Sequence, residues 1–398
     1  MRGSHVALAL ALVLGACAPK PPLAPPPEHL ALASVDFAVL PGWRADDQSA
    51  ALPALQKSCG RLLKQADDRP VGPSSGASTI GGTVADWRAA CDAVVQAGTL
   101  DAAAARALIE QWFEPFEASG RDGPVGLFTG YYEPELRGSL TRDAAYTVPL
   151  YKRPDDLVTV DLGDFRADWH GERIVGRVVS GQLKPYPDRL AIERGALANR
   201  GLELLWVDNA IDAFFVEIQG SARVALPDGK TLRIGYAAQN GHEYVAIGRA
   251  LLARGALERG QVSMQTIRDW LTQHPDEAGA VMDLNPSYVF FKQIAGDGPV
   301  GAQGLVLTAG RSLAVDPKFM PLGTPLWLDI DEPAAPGGRL QRLVVAQDTG
   351  GAIRGPVRGD LFCGTGAAAA EQAGVMQQRG GYYLLLPRPL AERMKRVS

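Results

Sequence analysis

The sequence predicts a mixed α+β protein, mainly β, in which a smaller β domain interrupts a larger domain of strands and helices. Three observations predict it. Helical periodicity fills two stretches between residues 83 and 120, and strands and turns then dominate for about a hundred residues. Helix and strand both return after residue 241. At 398 residues the chain is too long for one ordinary domain and short for three. A hydrophobic content of 46% against 21% charged residues leaves material for real cores. We therefore expect residues 31–136 and 236–398 to form the larger domain and residues 137–235 the inserted one, with a groove between them suited to a long ligand. A formal net charge of −4 gives no basic footprint for nucleic acid.

The N-terminus comes first. Arg2 and His5 precede the apolar run "VALALALVLGA", which is too short to span a bilayer as a mature helix and reads as a secretory signal. It ends in Leu14-Gly15-Ala16-Cys17, the pattern of a bacterial lipobox, so residues 1–17 are expected to be a lipoprotein signal peptide with Cys17 lipidated. An ordinary signal with an incidental cysteine is the alternative. Ala18 rather than aspartate follows, which fits sorting to the outer membrane. Residues 18–30 are a Pro-rich linker, whose prolines hold the chain extended as a tether would require. Exported chains keep disulfides. Cys59 and Cys91 both fall in the helical N-terminal part and can pair, which leaves Cys363 over.

"TVADWRAACDAVVQAG" and "DAAAARALIEQWFEPFEASG" show helical spacing, the second opening on Asp101 as N-cap. "PVGLFTGYYEPEL", aromatic and bounded by Gly and Pro, opens the β block. "FFVEIQGSARVALPDGKTLRIGYA" reads as a hairpin turning at Pro227, Asp228 and Gly229. "GHEYVAIGRALLARG" and "SMQTIRDWLTQHPDEAGAVMDL" read as helices, with Asn240 as cap and His242 structural. From "GAQGLVLTAG" to "GGYYLLLPR" short apolar strands alternate with Gly/Pro turns, apart from a small helix at "GAAAAEQAG".

Chemistry is then narrowed by elimination. The five histidines are isolated and no His-Glu-x-x-His occurs, so no metal is expected. There is no Gly-x-Ser-x-Gly elbow and no P-loop. Gly364-Thr365-Gly366 with Ala369 matches a short dinucleotide fingerprint but lacks its acidic partner, and reads as a tight strand-to-helix turn. No cofactor is expected. Cys363 has no nearby histidine to activate it.

Carboxylates remain. Asp316, Asp348 and Asp360 punctuate the C-terminal β region, each next to an apolar strand pattern, where loops present side chains at the mouth of a barrel or sheet. Any of them can be a turn-forming aspartate, Asp316 beside Pro317 above all. Asp348 and Asp360 stand among glycines, which let a bulky ligand approach the backbone closely.

Taken together, "FTGYYEPEL", "VEIQGSARV", "YAAQNGHEYVAIGRALL", "SMQTIRDWL", "NPSYVFFK", "DPKFMPLGTPLWL", "AQDTGGAIRG", "GDLFCGTG" and "GYYLLLP" resemble the membrane-bound lytic murein transglycosylase A family, from about residue 110 to 387. The resemblance implies a double-psi β-barrel, the three-aspartate or 3D domain, with a smaller β domain inserted across a deep groove. It implies a lyase acting on peptidoglycan glycan strands from the periplasmic face of the outer membrane, beside cell-wall synthesis or remodelling proteins. By motif position the catalytic aspartate falls on Asp360, with Asp348 and Asp316 as neighbours.

Such an enzyme needs one carboxylate, because the substrate's own C6 hydroxyl attacks; a hydrolase needs two. Asp360 must then stay protonated near neutral pH, and we expect burial or the charge of Asp348 to raise its pKa. Thr129, Tyr131, Tyr132, Gln219, Ser221 and Asp316 are expected to face the sugars, with strand core, or for Asp316 a turn, as the plain alternative. Glu133 and Glu217 are the spare carboxylates of a conventional hydrolase. A noncatalytic peptidoglycan-binding lipoprotein is the reading from outside enzymology.

Overall fold

The computed structural model describes residues 29–72, 80–169, 172–258, 260, 262–296, 298–332 and 337–397. The leader 1–17 with Cys17, and most of the linker 18–30, lie outside the described residues.

In chain order, β1 (Ala31–Ser34) leads to three helices, α1 (Leu52–Leu62), α2 (Val84–Gln96) and α3 (Ala102–Trp112). Each of the two predicted starts is made by its side chains. Thr83 and Asp86 form a reciprocal capping box on α2, and Asp101 accepts the Ala104 N–H on α3. Cys59 and Cys91 form a disulfide that ties α1 to α2. Then come β2 (Phe113–Ser119) and β3 (Gly126–Glu133).

After Pro134 the chain enters a second sheet. Its strands are β4 (Glu135–Ser139), β5 (Val148–Tyr151), β9 (Glu203–Val207), β10 (Ser221–Ala225), β11 (Thr231–Gln239) and β12 (Val289–Ile294), in the order β12-β11-β10-β4-β9-β5. Between β5 and β9 lie a three-stranded sheet, β6 (Val158–Asp161), β7 (Arg173–Val179) and β8 (Gln182–Pro185), and the short turn α4 (Arg189–Ala191). Because β12 joins the sheet, its strands reach past the 137–235 expected for the inserted domain.

The hairpin of β10 and β11 turns where expected: Gly229 takes φ +81°, and Asp228 accepts the Lys230 N–H. The residues before it differ from expectation. Phe214 to Gln219 belong to a helix, α5 (Ala210–Gln219), not to a strand. Asn209 caps its first turn, left-handed Gly220 ends it, and Phe214, Phe215 and Val216 are all buried. A short, mostly apolar run carries too little periodicity to separate strand from helix.

Two more differences follow. Helix α6 (Ile247–Ala253) starts seven residues after Asn240, so Asn240 does not cap it. Fully buried Asn240 instead donates to Pro187 O and Pro286 O and accepts from the Tyr288 N–H, pinning three segments together. His242 contacts Tyr186 O at 2.7 Å, a structural position. The next helical stretch breaks in two, α7 (Met264–Gln273) and α8 (Pro275–Met282), because Pro275 cannot continue the first helix.

The chain ends with β13 (Ser312–Val315), β14 (Pro325–Asp331), β15 (Arg339–Asp348), β16 (Arg358–Thr365), α9 (Ala367–Val375), β17 (Gln377–Pro387) and α10 (Arg388–Val397). These strands close a ring with β3. Going round, β3 pairs with β17, β17 with β14, β14 with β15, β15 with β13, β13 with β16, and β16 with β3 again. The β13–β15 and β16–β3 contacts are parallel and the others antiparallel. Gly364 at φ +120° and Gly366 at φ +82° make the strand-to-helix turn into α9.

One large core unites the barrel with the N-terminal helices, through Phe128, Leu313, Trp327, Val344, Leu361 and Leu384 on the strands and Leu55 and Trp87 on the helices. The second sheet has its own core around Leu205, Val224 and Phe291. The two parts are fastened at several points. The Tyr132 N–H donates to Gln219 Oε1 at 2.9 Å, Gln265 donates to Ala370 O, and Lys318 pairs with Glu172 at 2.6 Å.

Candidate active site

Strand register brings the aspartates together. β13 lies between β15 and β16, and Ala314 on β13 stands opposite Asp348 on one side and Asp360 on the other. Asp360 in turn stands opposite Thr129 of β3, and Thr129 opposite Gln377 of β17. With strands about 4.8 Å apart, the backbones of the two aspartates lie about 10 Å apart across a single alanine. Asp360 sits within β16 rather than in a loop at the barrel mouth. Successive residues of a strand face opposite ways. Phe128 and Leu361 point into the main core, so Thr129 and Asp360 point away from it, beside a small cluster of Tyr131, Leu307, Ala314, Ile353 and Phe362.

Asp360 is half-buried. Its Oδ1 accepts the Thr129 hydroxyl at 2.6 Å, and Thr129 Oγ1 accepts from Arg358 Nη2 at 2.8 Å. Burial pushes the Asp360 carboxyl up to about 6. The Arg358 charge and the Thr129 hydrogen bond hold it down, and the charge of Asp348 adds a smaller upward push. Burial, not the charge of Asp348, is the largest cause of the rise.

Asp348 is differently placed. Its Oδ2 accepts the Tyr131 hydroxyl at 2.7 Å, and its Oδ1 accepts the N–H groups of Ala302 and Thr349 at 2.8 and 2.9 Å. Burial raises its pKa while these three bonds pull it back. Tyr131, buried and facing both aspartates, holds its proton far above the ordinary tyrosine range.

The other expected residues divide. Thr129 and Tyr131 touch the aspartates directly. Tyr132 is buried against Ala369 and Ala373. Gln219 is buried, with its oxygen on the Tyr132 N–H, and Ser221 is buried at the start of β10. Asp316 is 3% exposed, and its oxygens accept the Lys318 and Gly355 N–H groups, so it braces the loop that leads into β16. The glycines divide too: a side chain at Gly359 would strike the Phe128 ring at 2.9 Å, so that glycine serves packing rather than a ligand.

Neither spare carboxylate is near Asp360. Glu217 is buried in a two-pronged pair with Arg189 in the second domain's interior. Glu133 binds Thr365, five residues along β16 from Asp360, about 16 Å away. Cys363 is half-buried and free, and burial with the charge of Asp360 pushes its thiol up to about 12, which removes it as a nucleophile. Sequence reasoning missed Arg358, although its place two residues before Asp360 in a strand puts both on one face. It also missed Tyr244, close enough for Asp360 to raise its pKa, and Gln377, the exposed end of the row. Among the described residues no group of three or more His, Cys, Asp or Glu could hold a metal.

Residues 127–292 match the MltA specific insert domain, and residues 311–386 match the 3D domain. A membrane-bound lytic murein transglycosylase from Agrobacterium tumefaciens is 39% identical, with 91% of this chain and 99% of that one superposing at a TM-score of 0.80. Membrane-bound lytic murein transglycosylase A of Vibrio cholerae is 33% identical over 266 residues, and the match spans 65% of each chain, just under two thirds of that relative. The E. coli MltA crystallised with chitohexaose is 25% identical, covering 91% of this chain and 94% of that one at a TM-score of 0.63. Strand ring, inserted sheet and sequence agree: this chain belongs to the membrane-bound lytic murein transglycosylase A family.

Proposed function

We propose that this chain is a lytic transglycosylase of peptidoglycan. It cleaves the β-1,4 bond between N-acetylmuramic acid and N-acetylglucosamine without water and leaves a 1,6-anhydromuramic end. The observation that carries the reading is Asp360, half-buried on the strand row, its Oδ1 held by the Thr129 hydroxyl and its carboxyl pushed up to about 6 by burial. An acid with a pKa near the working pH can both give and take a proton. The relative solved with bound chitohexaose, a β-1,4-linked amino-sugar chain, supports the substrate class.

Protonated Asp360 gives its proton to the glycosidic oxygen as the bond to C1 of the muramic sugar breaks. The C6 hydroxyl of the same sugar attacks C1, and its proton passes to the Asp360 carboxylate. One bond to C1 breaks, one forms, and Asp360 ends protonated as it began. No second carboxylate is required, because an internal nucleophile carries an effective molarity on the order of 10⁵ to 10⁸ M. Asp348 anchors Tyr131 and the Ala302 backbone, and its charge helps keep the acid protonated. The chain acts from the periplasmic face of the outer membrane, tethered through Cys17.

Digestion of purified peptidoglycan by the protein lacking residues 1–17, beside Asp360→Asn, tests the reading by mass spectrometry of the ends. Anhydromuramic ends from the wild type, lost in the variant, are expected. Reducing ends would make it a hydrolase, and no cleavage by either would make it a binding lipoprotein.

A further inference from the structure

Asp360 has two oxygens, and only one of them can be useful as the acid. Oδ1 lies against Thr129. Oδ2 has no hydrogen bond among the described residues and is not one of the sealed, partnerless polar atoms, so it is the oxygen open to a ligand. A carboxylic acid with its proton on Oδ1 would point that proton at Thr129, away from the glycosidic oxygen.

Thr129 alone does not settle the matter, because a threonine hydroxyl both donates and accepts and rotates to suit its neighbours. Arg358 removes that freedom. A guanidinium only donates, and Arg358 Nη2 donates to Thr129 Oγ1 at 2.8 Å. A hydroxyl that accepts from a cation becomes a better donor and a poorer acceptor. Its one hydrogen is then directed along the 2.6 Å contact to Asp360 Oδ1. Arg358 is itself held, with Nη1 donating to Leu127 O and Gly359 O, so its fork is fixed to the strands that carry both partners.

We propose that Arg358 is a positioning residue: by donating to Thr129 it turns the threonine hydroxyl toward Asp360 Oδ1 and so assigns the acid proton to Oδ2, the oxygen facing the ligand. The inference deepens the transglycosylase reading and rests on it for its meaning in catalysis. The same relay serves the second half of the reaction. Once Asp360 has lost its proton, Thr129 still donates to Oδ1 and the Arg358 charge lies behind it, so the carboxylate survives long enough to take the C6 proton. No proton crosses the relay; it sets where the proton sits. The other titratable groups around Asp360 are Asp348 from β15, Tyr131 from β3, Cys363 from β16 itself and Tyr244 ahead of α6; the Asp348 charge raises the Asp360 pKa, the Asp360 charge raises those of the other three, and none of the four hydrogen-bonds to Asp360 among the described residues.

The test has a readout that needs no substrate. In protein labelled with ¹³C at aspartate carboxyls, the Asp360 signal is titrated in the wild type, Thr129→Ser, Thr129→Val, Arg358→Lys, Arg358→Met and the Thr129→Val/Arg358→Met pair. Thr129→Ser and Arg358→Lys, which keep a hydroxyl and a cationic donor, are expected to titrate like the wild type, near 6. Thr129→Val and Arg358→Met raise the midpoint, and the double variant titrates like Arg358→Met alone, because the second break finds the relay already cut. In turnover of peptidoglycan the alkaline limb moves up with the midpoint, while kcat falls roughly ten- to a hundredfold with KM little changed. Shifts that add in full, or an Arg358→Met protein that titrates as wild type and is only less stable, overturn the relay. A wild type that makes no anhydromuramic ends overturns the transglycosylase reading instead, and the titration still decides whether the relay exists.

Discussion

Replacing Asp360 by asparagine should stabilise the fold while it removes the acid. The carboxyl's folded pKa stands at about 6 against an ordinary value of 3.8. Between those values the folded state binds a proton that the unfolded state has lost, so stability falls as pH rises through the interval. Below about 3.8 both states are protonated and the effect vanishes; above about 6 it is complete. A gap of about two pH units at about 1.4 kcal/mol each gives roughly 3 kcal/mol as the full penalty of an ionised Asp360. Asparagine mimics the neutral acid, and the attraction to Arg358 is already included in the net shift, so the variant should regain most of this above pH 7. Urea unfolding of both proteins at several pH values from 4 to 8 measures it. The expected curve is a difference near zero at pH 4 that grows to a plateau of roughly 3 kcal/mol past pH 6.5. A difference independent of pH, or an asparagine variant that is less stable at pH 8, would refute the reasoning.

Further predictions concern the surroundings. Asp348→Asn removes the charge that pushes Asp360 up, so the alkaline limb of the pH–activity profile should move down, by less than burial accounts for; an upward move would contradict the assigned coupling. Cutting the Cys59–Cys91 bridge with paired serines should lower stability by about 2–4 kcal/mol in urea unfolding and leave the product ends unchanged. Glu217→Gln strands Arg189 in the second domain's interior and should lower stability by about 3–5 kcal/mol, seen in a thermal melt. The folded fraction of that variant should keep wild-type product chemistry, since Glu217 lies outside the row.

What the sequence made legible was local. The cap at Asp101, the turn at Asp228 and Gly229 and the strand-to-helix turn at Gly366 all involve residues within a few positions of their partners. The misreadings have the same origin. Asn240 has a cap's side chain before a helical pattern, yet its partners Pro187 and Pro286 come from distant segments. Phe214 to Gln219 are mostly apolar with no clear period, and what decides helix over strand is packing against elements that the sequence does not place. The aspartate row is the sharpest case. Asp348 and Asp360 are separated in sequence by a loop, but what fixes their spacing is Ala314 from another strand. Thr129 reaches Asp360 from 231 residues upstream. Family motifs pointed at Asp360; no local pattern reveals the Arg358–Thr129 contact.

The ring of strands also bears on when the row around Asp360 comes into being. The row around Asp360 exists only after β13 has slotted between β15 and β16 and β3 has closed against both β16 and β17. Pairings of such long sequence separation form late and slowly, after the loops that join them have been closed. A chain that has folded its helices and hairpins but not its barrel holds its carboxyl in water, near pH 4 and ionised, with no hydroxyl aligned to it. If the proposed glycan cleavage runs through Asp360, partly folded copies lack it, and its onset coincides with completion of the barrel.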